Sequence, residues 1–331
     1  MTSRPNILVT GGAGYIGSHC CRALAAAGYE PVVYDNLSTG HRSFVRGPLV
    51  VGDLLDRTTL RAAFAQHDIA AVVHFAAASL VGESVTDPQK YYLNNFVGTL
   101  SLLQAMREAG CSRIVFSSTG AVYGNADSKA LPEDFPCAPI NPYGASKLMI
   151  ERMLADYRSA YGFGAFCLRY FNASGADPGG GIGELRDNET HLIPRAMMAL
   201  QGHVGDFAVF GDDYDTPDGT AIRDYIHVTD LAAAHVEALE LLFTGHAGGA
   251  FNLGTGSGFS VREILAAIKA ETGREVPHVV KPRRSGDPTY LVADPSAARK
   301  VLNFTPRHSD LATIIRTAWA WHRQAHPLKT G

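Results

Sequence analysis

The stretch NILVTGGAGYIGSHCCRALAAAGYEPVVYDN, residues 6–36, leaves the chain little choice of fold. Ile7 to Val9 is a short, continuous apolar run, the pattern of a strand covered on both faces. A turn with three spaced glycines follows, then an alanine-rich helix that Gly28 stops, then the strand PVVYD. Two strands joined through a helix lie parallel, because the crossover brings the chain back to the same end of the sheet. The alternation continues. LVVGD is a strand, Thr58 to Gln66 a helix, AAVVHFAA a strand, Asn94 to Ala109 a helix, RIVFSS a strand, Pro142 to Tyr161 a helix and AFCLRYFN a strand. This spacing predicts an α/β fold with a doubly wound parallel sheet.

The rhythm breaks after Asn172. ASGADPGGGIGELRDNE has no apolar period and reads as a loop over a cleft, and the rest mixes short helices and strands. We therefore expect a first domain over residues 1–171 and a smaller mixed α/β substrate-binding domain over 172–331. A segment near 221–254, helical from Val228, is expected to return to the first. The formal charge of −3 offers nothing that would draw nucleic acid or an anionic membrane. No apolar run reaches the roughly 20 residues that span a bilayer, and the N-terminus runs straight into a strand, so a cytoplasmic protein is expected. Five cysteines without a CxxC spacing read as reduced thiols. The histidines form no ligand cluster, and the acidic run GDDYDTPDG puts Pro217 where a calcium loop needs an oxygen ligand, so no metal is expected.

Gly11, Gly14 and Gly17 form GxxGxxG between strand and helix, where backbone can approach a pyrophosphate at the positive helix end. That makes the first domain Rossmann-type. Asp35, ending the second strand, suits the two ribose hydroxyls of adenosine and repels a 2′-phosphate, which favours NAD over NADP. Asp53, after LVVG, is placed for the adenine amino group. In NPYGASK, Tyr143 and Lys147 are one helical turn apart on one face. A free phenol has a pKa of about 10; a nearby ammonium or nicotinamidium lowers it into the range of a working base. Upstream, FSSTGAVYG ends a strand with Thr119, whose hydroxyl can bond the same substrate oxygen that Tyr143 deprotonates.

These motifs resemble those of the extended short-chain dehydrogenase/reductases. DNLSTG, YYLNNFVGT, SSTGAVYG, LRYFNASGA, HLIPRAM, FGDDYDTPDGTAIRDYIHV, FNLGTG and RRSGDP, in that order, are similar to blocks of the UDP-glucose 4-epimerase family. The resemblance implies an isomerase in which Tyr143 takes the proton from the sugar 4-hydroxyl, with Thr119 and Lys147 assisting. A hydride passes from C4 to a tightly held NAD and returns to the other face of a 4-keto sugar. It further implies NAD contacts from Tyr15, Ile16, Asn36, Leu54, Phe75, Ala76, Ala77, Asn95, Ser117 and Tyr170. For the UDP-sugar it implies Asn172, Arg223 and Arg284 on the diphosphate, Asp287 on a ribose hydroxyl, and Ala208 and Phe210 around the uracil. Ser84, His191 and Leu192 would stand nearby, and Leu291 would gate the sugar pocket. Ser79 stands where some members carry a lysine near the cofactor. A nucleotide-sugar 4,6-dehydratase needs an acid and a base after the strand hydroxyl, and Gly120 and Ala121 supply neither. A homodimer through the 94–109 and 149–160 helices is also implied. Acceptance of N-acetyl, pentose or uronate UDP-sugars stays open, and a non-catalytic NAD-binding scaffold would have no use for the Thr119, Tyr143 and Lys147 set.

Overall fold

The computed structural model describes residues 5–284 and 287–327. Seven strands make the large sheet: β1 (Asn6–Thr10), β2 (Glu30–Asp35), β3 (Leu49–Val51), β4 (Ile69–His74), β5 (Arg113–Thr119), β6 (Gly164–Tyr170) and β7 (Gly248–Leu253). They lie in the order β7-β6-β5-β4-β1-β2-β3, every pair parallel. The chain runs one way from β1 to β3 and the other way from β4 to β7. The crevice of such a sheet opens at the carboxyl ends of β1 and β4, where the direction reverses.

The longer helices are α1 (Tyr15–Ala26), α2 (Arg57–His67), α3 (Gly98–Glu108), α4 (Pro142–Tyr161), α5 (Leu192–Leu200), α6 (Val228–Phe243), α7 (Val261–Thr272) and α8 (Leu311–Ala325). Alternate residues of β1 serve opposite faces. Ile7 and Val9 pack with Cys20 and Leu24 of α1 and with Leu231 and Leu239 of α6. Leu8 packs with Leu60 of α2, Leu102 and Met106 of α3, and Ile150 and Leu154 of α4. In the late segment α6 packs on α1 and β7 pairs with β6, while the strand Ile222–Arg223 lies in a smaller four-stranded sheet. Beside that sheet α5, α7 and α8 bury Met197, Ile264, Ile268, Ile314 and Ile315 among themselves.

Two local features set up the crevice. The first is the entry to α4. Asn141 accepts from Gly144 N at 2.8 Å, and Pro142 occupies the first turn, where its missing N–H costs nothing. Tyr143, Lys147 and Glu151 then fall on one stripe. Arg169 of β6 donates to both Glu151 oxygens, at 2.9 Å from Nε and 2.6 Å from Nη2, and Ser118 donates to the same carboxylate. The second concerns the segment that the apolar period reads as a helix from Asn94. Its beginning is a π-turn, Tyr92–Val97, and the α-helix starts only at Gly98. The wider turn rotates Asn95 inward, fully buried, where its amide accepts from Ala78 N at 2.8 Å and donates to Ala78 O at 3.0 Å.

The Arg169–Glu151 pair is almost entirely out of water, with 7% and 8% of the side chains exposed. Removing one partner of such a pair leaves an uncompensated buried charge. Arg169→Met should therefore destabilise the protein by about 3–5 kcal/mol. Urea unfolding monitored by circular dichroism measures this; a loss under about 1 kcal/mol would show that the pair contributes little.

Candidate functional site

The glycine turn closes tightly on the end of β4. Gly11 has φ of 71°, and a Cβ there would lie 2.6 Å from Ala76 N; a Cβ on Gly17 would lie 2.2 Å from Gly11 O. No side chain fits either place, so bare backbone faces the crevice at the N-terminus of α1, as a pyrophosphate needs. Asp35 is fixed by Ala13 N at 3.0 Å and Leu37 N at 2.8 Å, one bond to each oxygen, leaving lone pairs for a diol. Burial raises its pKa above the usual carboxylate value. Asp53 accepts from Asn36 Nδ2 at 2.9 Å and Leu55 N at 2.9 Å. This cradle fits a dinucleotide with an unphosphorylated adenosine ribose.

The other predicted cofactor residues divide in two. Phe75 N and Ala76 N both donate to Thr10 O, which holds the 75–77 backbone beside Gly11. Tyr15 OH donates to Gly175 O at 2.6 Å, and Ser117 Oγ pairs with Tyr170 OH. By contrast Asn95 spends its amide on Ala78 and on Ser146 Oγ at 3.1 Å, so it shapes the 75–78 loop from below. Ile16 and Leu54 pack into the two cores under the crevice.

At the end of β5, the Thr119 hydroxyl accepts from Ala121 N at 3.1 Å and stands close enough to Tyr143 to act on its phenol. Burial raises the phenol pKa; the Thr119 hydroxyl and the Arg186 charge pull it back in part. Lys147 is 2% exposed. Its Nζ donates to Ser117 O at 2.8 Å and lies 6.0 Å from the centre of the Tyr143 ring. Desolvation lowers the Lys147 pKa to about 7, and Glu151 opposes that shift. The ligand-free site thus has a neutral phenol beside a lysine that titrates near neutrality.

Tyr170 leads in two residues to Asn172, which opens a cavity of about 440 Å³. Asn172, His191, Leu192, Ala208, Phe210, Arg223, Arg284 and Asp287 all line it. Residues drawn from five separate stretches of sequence are thereby gathered into one wall. Arg223 pairs with Asp287 and donates to Pro288 O at 2.8 Å, while the Arg284 guanidinium lies 4.0 Å from the centre of the Phe210 ring. Ser84 and Leu291 are not part of that wall. Ser84 is fully buried and donates to Val81 O at 2.7 Å, and Leu291 packs with Phe171, Val122 and Tyr123.

Sequence reasoning passed over the acidic network under this cavity. Glu184 bonds His191 Nδ1 at 2.7 Å and Arg186 Nε at 3.0 Å, and Glu189 accepts from Thr190 N and His191 N at 2.8 Å. Burial and Glu184 push Glu189 up to about 7, whereas Glu184 raises His191. The ligand atoms of Glu184, Glu189 and His191 lie within 4.8 Å of one another, with Arg186 already neutralising the cluster. Its residues fall in the aperiodic GELRDNETH stretch, where no spacing distinguishes them from loop. Among the described residues no helix is long and apolar enough to cross a membrane.

Residues 7–254 match the model of the NAD dependent epimerase/dehydratase family. The chain is 52% identical to a UDP-glucose 4-epimerase of Rhizobium leguminosarum bv. trifolii, over 97% of this chain and 98% of that one. A crystal structure of UDP-glucose 4-epimerase from Brucella ovis in complex with NAD is 56% identical, with a TM-score of 0.94 over 96% of this chain and 98% of that chain. Another, from Stenotrophomonas maltophila with bound NAD and formylated UDP-arabinopyranose, is 41% identical with a TM-score of 0.94, covering 97% and 98%.

Lys147 gives a test in the NAD-free protein. Its pKa falls from 10.5 to about 7 on folding, so the unfolded chain binds that proton more tightly. The cost of the buried ammonium is in full force below about 7 and fades as the pH rises toward 10.5. The parent should therefore gain stability relative to a Lys147→Met variant between those limits. Denaturation curves across that range check it; a difference independent of pH would contradict the assignment.

Proposed function

The chain belongs to the NAD dependent epimerase/dehydratase family, and from that premise we propose that it interconverts UDP-glucose and UDP-galactose by inverting C4 of the hexose. The observation that carries this reading is the junction at Tyr170–Asn172. It joins the Thr119, Tyr143 and Lys147 cluster to a cavity walled by arginines and an aromatic ring. A proton-transfer group next to a diphosphate grip is what oxidation of a nucleotide-linked sugar alcohol requires.

In this proposal the Gly11–Gly17 backbone and Asp35 would hold NAD, which would supply a reversible hydride acceptor for C4 and, as a nearby cation, would favour the ionised phenol. Tyr143 takes the 4-hydroxyl proton and later gives it back. Thr119 donates to the same oxygen and keeps the phenol aimed at it. Lys147, anchored on Ser117 O, holds a positive charge beside the phenol when protonated. Arg223 and Arg284 hold the diphosphate, with Asn172 beside them; for Arg223 this trades part of its Asp287 pairing for phosphate oxygens and frees Asp287 for a ribose hydroxyl. Phe210 and Ala208 flank the uracil.

We propose also that the protein is a cytoplasmic homodimer. Leu93, Val97 and Met149 are 44%, 38% and 37% exposed on neighbouring helical surfaces, which supports a partner copy there. Removal of the base tests the catalytic reading. Tyr143→Phe should lower turnover of UDP-galactose by about 10²–10⁴-fold, the usual contribution of a general base. NAD content, read by absorbance after denaturation, should stay at the parental level. Turnover close to the parent's would refute the role of the phenol.

A further inference from the structure

The connection 175–191 contains no helix or strand, yet it is fastened on both sides of the crevice. Tyr15, the first residue of α1, donates to Gly175 O, and Arg22 of the same helix donates to Gly180 O at 2.8 Å. Past β2, His41 Nε2 meets Leu185 O at 3.0 Å. From the smaller layer, Trp321 Nε1 donates to Glu184 O at 2.7 Å. The segment therefore runs across the crevice mouth from the end of α1 toward the cavity.

Arg186 is the lone lysine or arginine in this stretch. Its Nε is held by Glu184, and its Nη1 reaches over to Ser79 Oγ at 3.4 Å, just beyond the 75–77 backbone that packs on Gly11. Among the described residues nothing accepts from Nη2. Burial raises the pKa of both phenols that mark the crevice, Tyr15 at the α1 terminus and Tyr143 at the sugar end, and the Arg186 charge reaches both, opposing each shift in part. A guanidinium placed between these points, with a free donor edge, overlies the path from the glycine turn to the phenol. Arg186 does not line the cavity that holds Arg223 and Arg284.

We propose that Arg186 is a clamp for the dinucleotide: its guanidinium donates to the diphosphate of bound NAD and ties the 175–191 segment down over it. The proposal rests on the NAD-dependent reading above. Glu184 holds the arginine in place, Ser79 leaves room for it, and the diphosphate takes the donors that the protein leaves unused. Such a clamp slows release of the cofactor without touching the reacting carbon, as a permanently held NAD requires.

The test is the rate of NAD release from purified holoprotein, followed with a coupled dehydrogenase that consumes the freed NAD. The parent, Arg186→Ala, Arg186→Lys and, as a control in the same loop, Asp187→Ala are compared. Arg186→Ala should release NAD faster by about tenfold or more, the effect of losing one charge-assisted hydrogen bond. Arg186→Lys should restore part of the retention, Asp187→Ala should match the parent, and UDP affinity by calorimetry should be unchanged in all of them. Release at the parental rate from Arg186→Ala overturns the clamp while leaving the NAD reading intact. Weakened UDP binding with unchanged NAD release also overturns it, and assigns the charge to the substrate diphosphate. A parent that carries no NAD and takes none up overturns both.

Discussion

The buried pairing of Glu151 with Arg169 fixes the part of the molecule on which the proposed chemistry depends. Glu151 lies one helical turn beyond Lys147 and two beyond Tyr143, and Arg169 stands on the neighbouring strand β6. Arg169 also donates to Tyr123 OH at 2.8 Å and to Glu133 O at 3.2 Å, and Ser118 of β5 donates to Glu151. Helix α4 is thereby locked in rotation and height against β5 and β6. That lock places Lys147 on the carbonyl of Ser117 and Tyr143 beside Thr119, so three consecutive residues of β5 meet three successive turns of one helix. A fully paired network of this kind offsets its desolvation through several charged hydrogen bonds, while a single missing member leaves a charge stranded.

The same economy of charge separates the crevice from the cavity. In the crevice, burial keeps the phenol protonated and holds the lysine near neutrality until a ligand arrives. In the cavity, Arg223 already has an internal partner, and Arg284 rests on an aromatic face. Anionic ligand can exchange for these contacts without leaving a bare cation behind in their absence. A cavity built this way can take up a diphosphate by exchanging contacts its arginines already make.

Six strands of the sheet were legible from sequence because each is an apolar run bounded by turn residues; β7, which begins with two glycines, was not read as a strand. The α4 boundaries follow from Asn141–Pro142 and Gly162, which act locally. Most of the cavity wall was legible only through resemblance to a family. Asn172, Ala208, Arg223 and Arg284 come from distant segments, and no local period predicts their meeting. The structure differs from the sequence expectation where tertiary contact overrides local pattern. The helix expected from Asn94 begins as a π-turn because the buried Asn95 amide must face Ala78. Glu184, Arg186 and Glu189 were passed over because their interest lies in what they touch across the crevice, and the loop that carries them has no period at all.

The central claim is that a hydrogen leaves C4 and comes back to the same carbon within one protein molecule. UDP-glucose deuterated at C4, incubated with purified protein and no added NAD, tests it most directly, with the UDP-galactose formed analysed by mass spectrometry and NMR. The account predicts that the deuterium is retained at C4 of the product. Formation of UDP-galactose with the label lost to solvent would contradict it, as would the absence of conversion by protein that carries a full complement of NAD.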